Sequence, residues 1–188
     1  FSSGLLDLLG IHPIEEGRAW GDPWAGLAAL GRDLPDHPYA KLNAAGLRAA
    51  FGELTGALEA AGLPYTDPGE RNHELLTGLG TPKSTYCLPR SMQAGARALA
   101  ARASCLLVDF EGLREFSARA VAGGAAARWP DLRTLRLAFP APGVAGEVHA
   151  AHIAMRLEED TARERLAELI RPHLGDAAAV GLPAVLGI

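Results

Sequence analysis

The residues best equipped for chemistry lie together in Gly80-Thr81-Pro82-Lys83-Ser84-Thr85-Tyr86. This stretch sets one ammonium beside the hydroxyls of Thr81, Ser84 and Thr85, around a turn made by Gly and Pro. A lysine flanked by hydroxyls can hold the phosphate or carboxylate of a small substrate, the cation supplying charge and the hydroxyls direction. The same residues suit a solvated hairpin, because Gly, Pro and Ser are turn formers in their own right. Taken alone, they favour that plainer reading.

His149 and His152 are three residues apart on a predicted helix, with Glu147 close by, so they share one face. A zinc site needs a third protein ligand and an open fourth position. No HExxH and no cysteine pair supplies it, so solvated helix-face histidines are the better reading and no metal is expected. Asp109 and Glu111 follow an apolar run, Ser104 to Val108, of buried-strand length. Carboxylates there face a site or cap the next helix, and the cap is favoured. Cys87 and Cys105 both sit in apolar runs and read as buried small hydrophobes in a reducing cytoplasm. There is no GxGxxG, no GxxxxGK[ST] and no GxSxG; Gly123-Gly124 has no preceding strand and cradles no phosphate.

The balance of charge narrows the partners. A net charge of −4 and a pI near 5.9 give no basic face for nucleic acid. No apolar run approaches the roughly 18 residues of a membrane span. The chain of 188 residues can carry one domain and a small satellite. It opens on Phe1, which fits a segment cut from something longer.

These groups need elements to place them. Residues 1–12 read as a short strand or helical turn. Pro23 to Leu30 is a helix with Asp22 as N-cap and Pro23 in the first turn. Residues 38–62 read as one long helix stopped by Gly62, completing a helical sub-region at 13–62. Leu63 to Tyr65 is a short strand; Arg71 to Leu79 and Lys83 to Leu88 pair as a hairpin across Gly80-Thr81-Pro82. From 103 to 182 strands and helices alternate: a strand at 104–108, a helix at Leu113 to Arg128 and a strand at Thr134 to Phe139. A loop at Pro140, Pro142 and Gly143 leads to helices at Glu147 to Glu158 and, capped by Asp160, at Thr161 to His173; a strand at Ala177 to Leu182 closes the series. Such alternation argues for parallel βαβ units. The fold class is therefore mixed α/β, α+β in its segregation: a mixed sheet of βαβ units plus an antiparallel hairpin.

Six segments in order resemble one family. Phe1-Ser2-Ser3-Gly4-Leu5-Leu6-Asp7-Leu8-Leu9, His37-Pro38-Tyr39 and Leu79-Gly80-Thr81-Pro82-Lys83-Ser84-Thr85 resemble the SSGxxDLL, HPY and LGTxRST segments of the B subunits of the anaerobic glycerol-3-phosphate dehydrogenases. Leu107 to Phe116, His152 to Glu158 and Gly181 to Gly187 resemble the VVGISGLxDF, NIARFLD and LPAxxG segments of the same family. The chain departs from the pattern at Asp109 and Glu111, which replace small or apolar positions, at His152 for Asn, and at Lys83 for Arg.

The resemblance implies a two-domain flavoprotein in which residues 1–188 are one cap or substrate-type domain. The Rossmann-like GxGxxG segment is then expected before Phe1 and further flavin-binding sequence after Ile188. It implies a flavin, FAD or FMN, bound mainly outside this segment, and oxidation of glycerol 3-phosphate to dihydroxyacetone phosphate. Electrons would pass to a membrane-anchored iron–sulfur subunit and quinone, alongside a catalytic partner subunit, in a cytoplasmic assembly peripheral to the inner membrane. By the same resemblance, Ser2, Ser3 and Gly4 lie near the flavin ring and Lys83, Ser84 and Thr85 on the substrate side. The acid–base residues are expected outside the segment, which alone is expected to be inactive. The alternatives are a docking or scaffold module of the complex, or another FAD-dependent oxidoreductase.

Overall fold

A computed structural model describes residues 4–139 and 148–183. The chain divides into two compact units, Phe1–Leu75 with Lys83–Ala96, and Leu76–Pro82 with Arg97–Ile188.

In the first unit, α1 spans Pro23–Asp33, and Asp22 caps it by accepting from Trp24 N and Ala25 N, as its sequence predicts. The helix expected over 38–62 is two elements. Pro38–Lys41 is a 3₁₀ turn, and α2 spans Ala44–Ala60. The break has a local cause: His37 Nδ1 accepts from Tyr39 N at 3.1 Å, and Asn43, in extended conformation, accepts from Gly46 N at 2.7 Å. Short polar side chains that bond the nearby backbone end one helix and start another. Gly62 stops α2 at φ +82, with Gly62 N donating to Glu59 O and Leu63 N to Leu58 O, a Schellman closure.

Leu8, Tyr86 and Cys87 form the heart of this unit, with Trp24, Leu47 and Phe51 packed against them. The Tyr86 ring meets Trp24 and Phe51 edge-on, at 5.5 and 4.8 Å between centroids. A smaller cluster joins Leu75, Leu88 and Ala96. Residues 5–12 carry no regular element; Leu6 bridges to Cys87 and Ile11 to Ala19, both antiparallel. Tyr65 likewise bridges Pro89.

The hairpin forms where expected, with shorter strands: β1 is His73–Leu76 and β2 is Pro82–Thr85. A further helix, α3 at Arg90–Ala101, has no counterpart in the expected elements. Its many alanines and only two large apolar residues, Met92 and Leu99, give little of the bulky period that marks a helix.

Among the described residues the second unit holds three strands, β3 (Cys105–Phe110), β4 (Leu132–Leu137) and β5 (Ala179–Gly181), ordered β4-β3-β5 and all parallel. The βαβ expectation holds. Alternation sends Cys105 to one face, against Leu99 of α3, Trp129, and Val121 and Ala125 of α4 (Ala118–Ala125). Leu106, Val108 and Phe110 face the other side, against Ile153 and Leu157 of α5 (Ala150–Leu157) and Leu166 and Ile170 of α6 (Asp160–Ile170). A central strand packed on both faces explains the apolar run Cys105 to Val108 within β3.

Several boundaries differ from expectation, and at two helix starts the capping residue accounts for it. α4 starts at Ala118, not Leu113, because Ser117 Oγ accepts from Ala120 N and caps it there. Asp160 is the first residue of α6, not its cap, which is Glu159. The expected loop at Pro140, Pro142 and Gly143, and Glu147, lie outside the described residues.

The hairpin turn reaches α4 through glycine. Gly80 sits at φ +76; a Cβ there would fall 2.8 Å from Ala125 N and 2.9 Å from Gly124 C, and clash harder still with Val121 O. A Cβ on Gly124 would in turn collide with Leu79 O. Gly80 and Gly124 thus let two backbones touch.

Candidate functional site

Gly4 has φ +69, a conformation open to glycine. Tyr65 Oη donates to its carbonyl at 2.5 Å. A Cβ on Gly4 would meet that hydroxyl at 3.6 Å and Pro89 Cγ at 3.7 Å, which is ordinary contact, so the backbone angle and not crowding selects glycine. Beyond it, Leu6 N donates to Cys87 O, and Tyr86 N and Cys87 N both lie 3.0 Å from Leu6 O. Asn72 Nδ2 donates to Leu9 O at 2.7 Å and Trp20 O at 2.8 Å, binding the same segment from its far end. Ser2 and Ser3 lie outside the described residues.

The three hairpin candidates have different surroundings. Lys83 Nζ reaches Asp7 Oδ2 at 2.6 Å, with the side chains 36% and 50% exposed. Thr85 is 1% exposed, and its hydroxyl lies 3.3 Å from both Leu6 O and Cys87 O, donating within the backbone it braces. Ser84 is half-buried and points to the other face of β2, where a Cβ on Gly10 would come within 3.2 Å of Ser84 Cβ. The structure therefore brings Lys83 together with Asp7, and Thr85 with Leu6, all on the segment that follows Gly4. Asp7 and Tyr65 carry no sequence signal of this role; they lie far along the chain from their partners, and only Asp7 falls inside a quoted motif.

Cys87 is fully buried and burial pushes its thiol up to about 11, which removes it as a nucleophile. Burial raises Cys105 as well. Both cysteines are free and buried, as their apolar runs predict. Asp109, 4% exposed, accepts from Phe110 N at 2.7 Å and from Ala118 N at 3.2 Å. It ties β3 to the start of α4, the capping role favoured from sequence. His149 Nδ1 lies 2.6 Å from Glu115 Oε1, and His152 Nδ1 accepts from His149 N. The bond from His149 holds the Glu115 carboxyl below its usual range. Among the described residues no group of three or more His, Cys, Asp or Glu side chains is placed to hold a metal. Among them, too, no helix is long and apolar enough to cross a membrane.

Of the three residues expected near a flavin ring, Gly4 alone is described; it presents no side chain, and its carbonyl is held by Tyr65. No glycine-rich phosphate loop is present in the sequence.

Comparison with known proteins agrees with the resemblance. The chain is 30% identical over 194 residues to the B subunit of the anaerobic glycerol-3-phosphate dehydrogenase of Pectobacterium carotovorum subsp. carotovorum (strain PC1), covering 100% of this chain and 46% of that protein. It is 28% identical over 197 residues to the protein of the same name from Vibrio cholerae serotype O1 (strain M66-2), covering 44% of it, and 30% identical over 194 residues to that of Yersinia pseudotuberculosis serotype I (strain IP32953), covering 45%. The chain thus spans less than half the length of these curated relatives. No solved structure matches. The family model described as FAD binding domain matches residues 1–188. That narrows the flavin to FAD, and it places the whole chain inside the FAD-binding sequence, a correction to the expectation that the flavin is bound mainly by residues outside it. With its described fold mixed α/β throughout and its match unbroken from end to end, the chain belongs to the FAD binding domain family.

Proposed function

We propose that this chain is part of a flavin-dependent dehydrogenase that oxidises glycerol 3-phosphate to dihydroxyacetone phosphate. The observation that carries the reading is the alignment of the entire chain with proteins named as B subunits of anaerobic glycerol-3-phosphate dehydrogenase. In this reading the protein works alongside a catalytic partner subunit in the cytoplasm. It attaches to the inner membrane through an iron–sulfur subunit that passes electrons to quinone.

The residues divide the work as follows. Ser2, Ser3 and Gly4 bring backbone to the ring of the FAD, which when bound supplies the two-electron acceptor for the alcohol-to-ketone step. Tyr65 holds the Gly4 carbonyl in place. Lys83 takes the substrate phosphate, with Ser84 as a neighbouring donor and Thr85 as the brace that fixes β2 to Leu6. Lys83 is free to change partners, because a half-exposed pair such as Lys83–Asp7 is worth only about 0–1 kcal/mol. A phosphate dianion competes with one carboxylate on charge alone.

The test uses the full-length protein, purified with its FAD and assayed with glycerol 3-phosphate and an artificial electron acceptor. Turnover is expected, and Lys83→Ala is expected to raise KM about tenfold or more, the loss of one charge-assisted contact. An unchanged kcat/KM in Lys83→Ala removes that residue from the substrate side. Bound FAD without turnover until a partner subunit is added favours the docking module. Turnover of a different alcohol or acid only favours another FAD-dependent oxidoreductase.

A further inference from the structure

The second unit carries a cleft on the α4 side of its sheet, lined by Asp109, Ser117, Arg119, Thr134 and Arg136. It opens toward the carboxyl ends of two parallel strands, the edge on which α/β sheets carry their ligands. Asp109 and Arg136 are register partners on β3 and β4, as are Leu107 and Thr134, so Asp109, Thr134 and Arg136 leave the sheet on the same face. The acidic group is already engaged: Asp109 accepts from Phe110 N and Ala118 N. Arg119 and Arg136 are exposed, and among the described residues neither has a hydrogen-bond or ion-pair partner. Most other arginines of the unit are engaged; Arg133, Arg156, Arg163 and Arg165 all have carboxylate or carbonyl partners. Ser117 Oγ accepts from Ala120 N, which leaves its own proton to donate outward.

Two unpaired guanidiniums and two hydroxyl donors around one concavity match a tetrahedral oxyanion. Guanidinium binds such groups through two parallel N–H bonds, and the hydroxyls complete the set. A carboxylate offers two oxygens and satisfies fewer of these donors. We propose that this cleft is a binding site for a phosphoryl group, with Arg119 and Arg136 as its principal ligands and Ser117 and Thr134 as secondary donors. The site shares no residue with the Gly4 and Lys83 region and does not rest on the redox reading.

The experiment is calorimetric titration of full-length protein with inorganic phosphate at constant ionic strength. Saturable binding is expected, with sulfate competing and acetate failing to compete at equal concentration. The double substitution Arg119→Ala/Arg136→Ala should weaken binding about tenfold or more, since two charge-assisted contacts are lost. Arg119→Lys/Arg136→Lys, which keeps the charge and loses the paired N–H geometry, should fall between. Arg165→Ala, on α6, should leave binding unchanged. Both cleft arginines are exposed, so an unchanged Tm is expected and separates loss of binding from loss of fold. Absence of saturable phosphate binding, or a double-alanine protein that binds like the parent, overturns the proposal. Failure of glycerol 3-phosphate turnover does not touch it, because phosphate binding is read without the reaction.

Discussion

At the scale of single residues, the contacts that matter are short and few. Tyr65→Phe removes the donor to the Gly4 carbonyl and nothing else of that ring. The expected cost is about 1 kcal/mol in urea unfolding, together with a shifted visible spectrum of the bound FAD. A spectrum identical to the parent's would show that Gly4 is not at the ring. Cys87 gives a pH signature. Its thiol is raised to about 11 in the folded protein, so folding favours the protonated form. The stability from burying it is fully present below the unfolded pKa near 9, and it is lost as pH rises through the folded value, by about 1 kcal/mol per pH unit. Cys87→Ala should flatten that alkaline slope. The buried state of both cysteines is legible from their apolar neighbours. The partners of Lys83 and Gly4 are not, since Asp7 and Tyr65 are joined to them by folding across more than 60 residues of chain.

At the scale of elements, structure is legible where a side chain signals to its own neighbourhood. Asp22 before Pro23, Gly62 after α2 and Asp109 before α4 all act as their types predict. The sequence misleads where two local signals compete. Asn43 starts a helix inside what the apolar period alone joins into one, and Ser117 outweighs the apolar residues that precede it. The alanine-rich α3 lacks the bulky spacing that would reveal it. Asp109→Asn tests the cap of α4. An amide keeps one acceptor and turns an N–H toward a donor, so a loss of about 1–3 kcal/mol is expected in thermal or urea unfolding. The hairpin turn offers a sharper test. Gly80→Ala adds strain at positive φ to a collision with the backbone of α4, and a cost of about 3 kcal/mol or more is expected. Gly52→Ala, where a Cβ meets open space in α2, should instead stabilise by about 1 kcal/mol.

At the scale of the whole molecule, two separate cores predict two separable responses. Leu166, 5% exposed, packs in the cluster with Phe110 and Ile153. Leu166→Ala should cost about 2–5 kcal/mol and lower hydrogen-exchange protection at β3 and β5 more than at Tyr86 and Cys87. Equal loss at both sets would mean that the units unfold as one. The parallel sheet is legible as alternation, and the family as six ordered motifs. The division into two units is not, because it follows no boundary in composition. The chain leaves the first unit at Leu76, returns at Lys83, and leaves again at Arg97. That interleaving has a consequence for synthesis. The turn at Gly80 emerges from the ribosome about 40 residues before the α4 backbone it must touch. At translation speeds of about 5–20 residues per second, it waits roughly 2–8 s with its bare peptide groups in water. The glycine contact is therefore a late closure, made only after the strand that leads into α4 has been delivered. A stall in translation between Leu88 and Val121 would leave the hairpin tip without the α4 backbone it closes on.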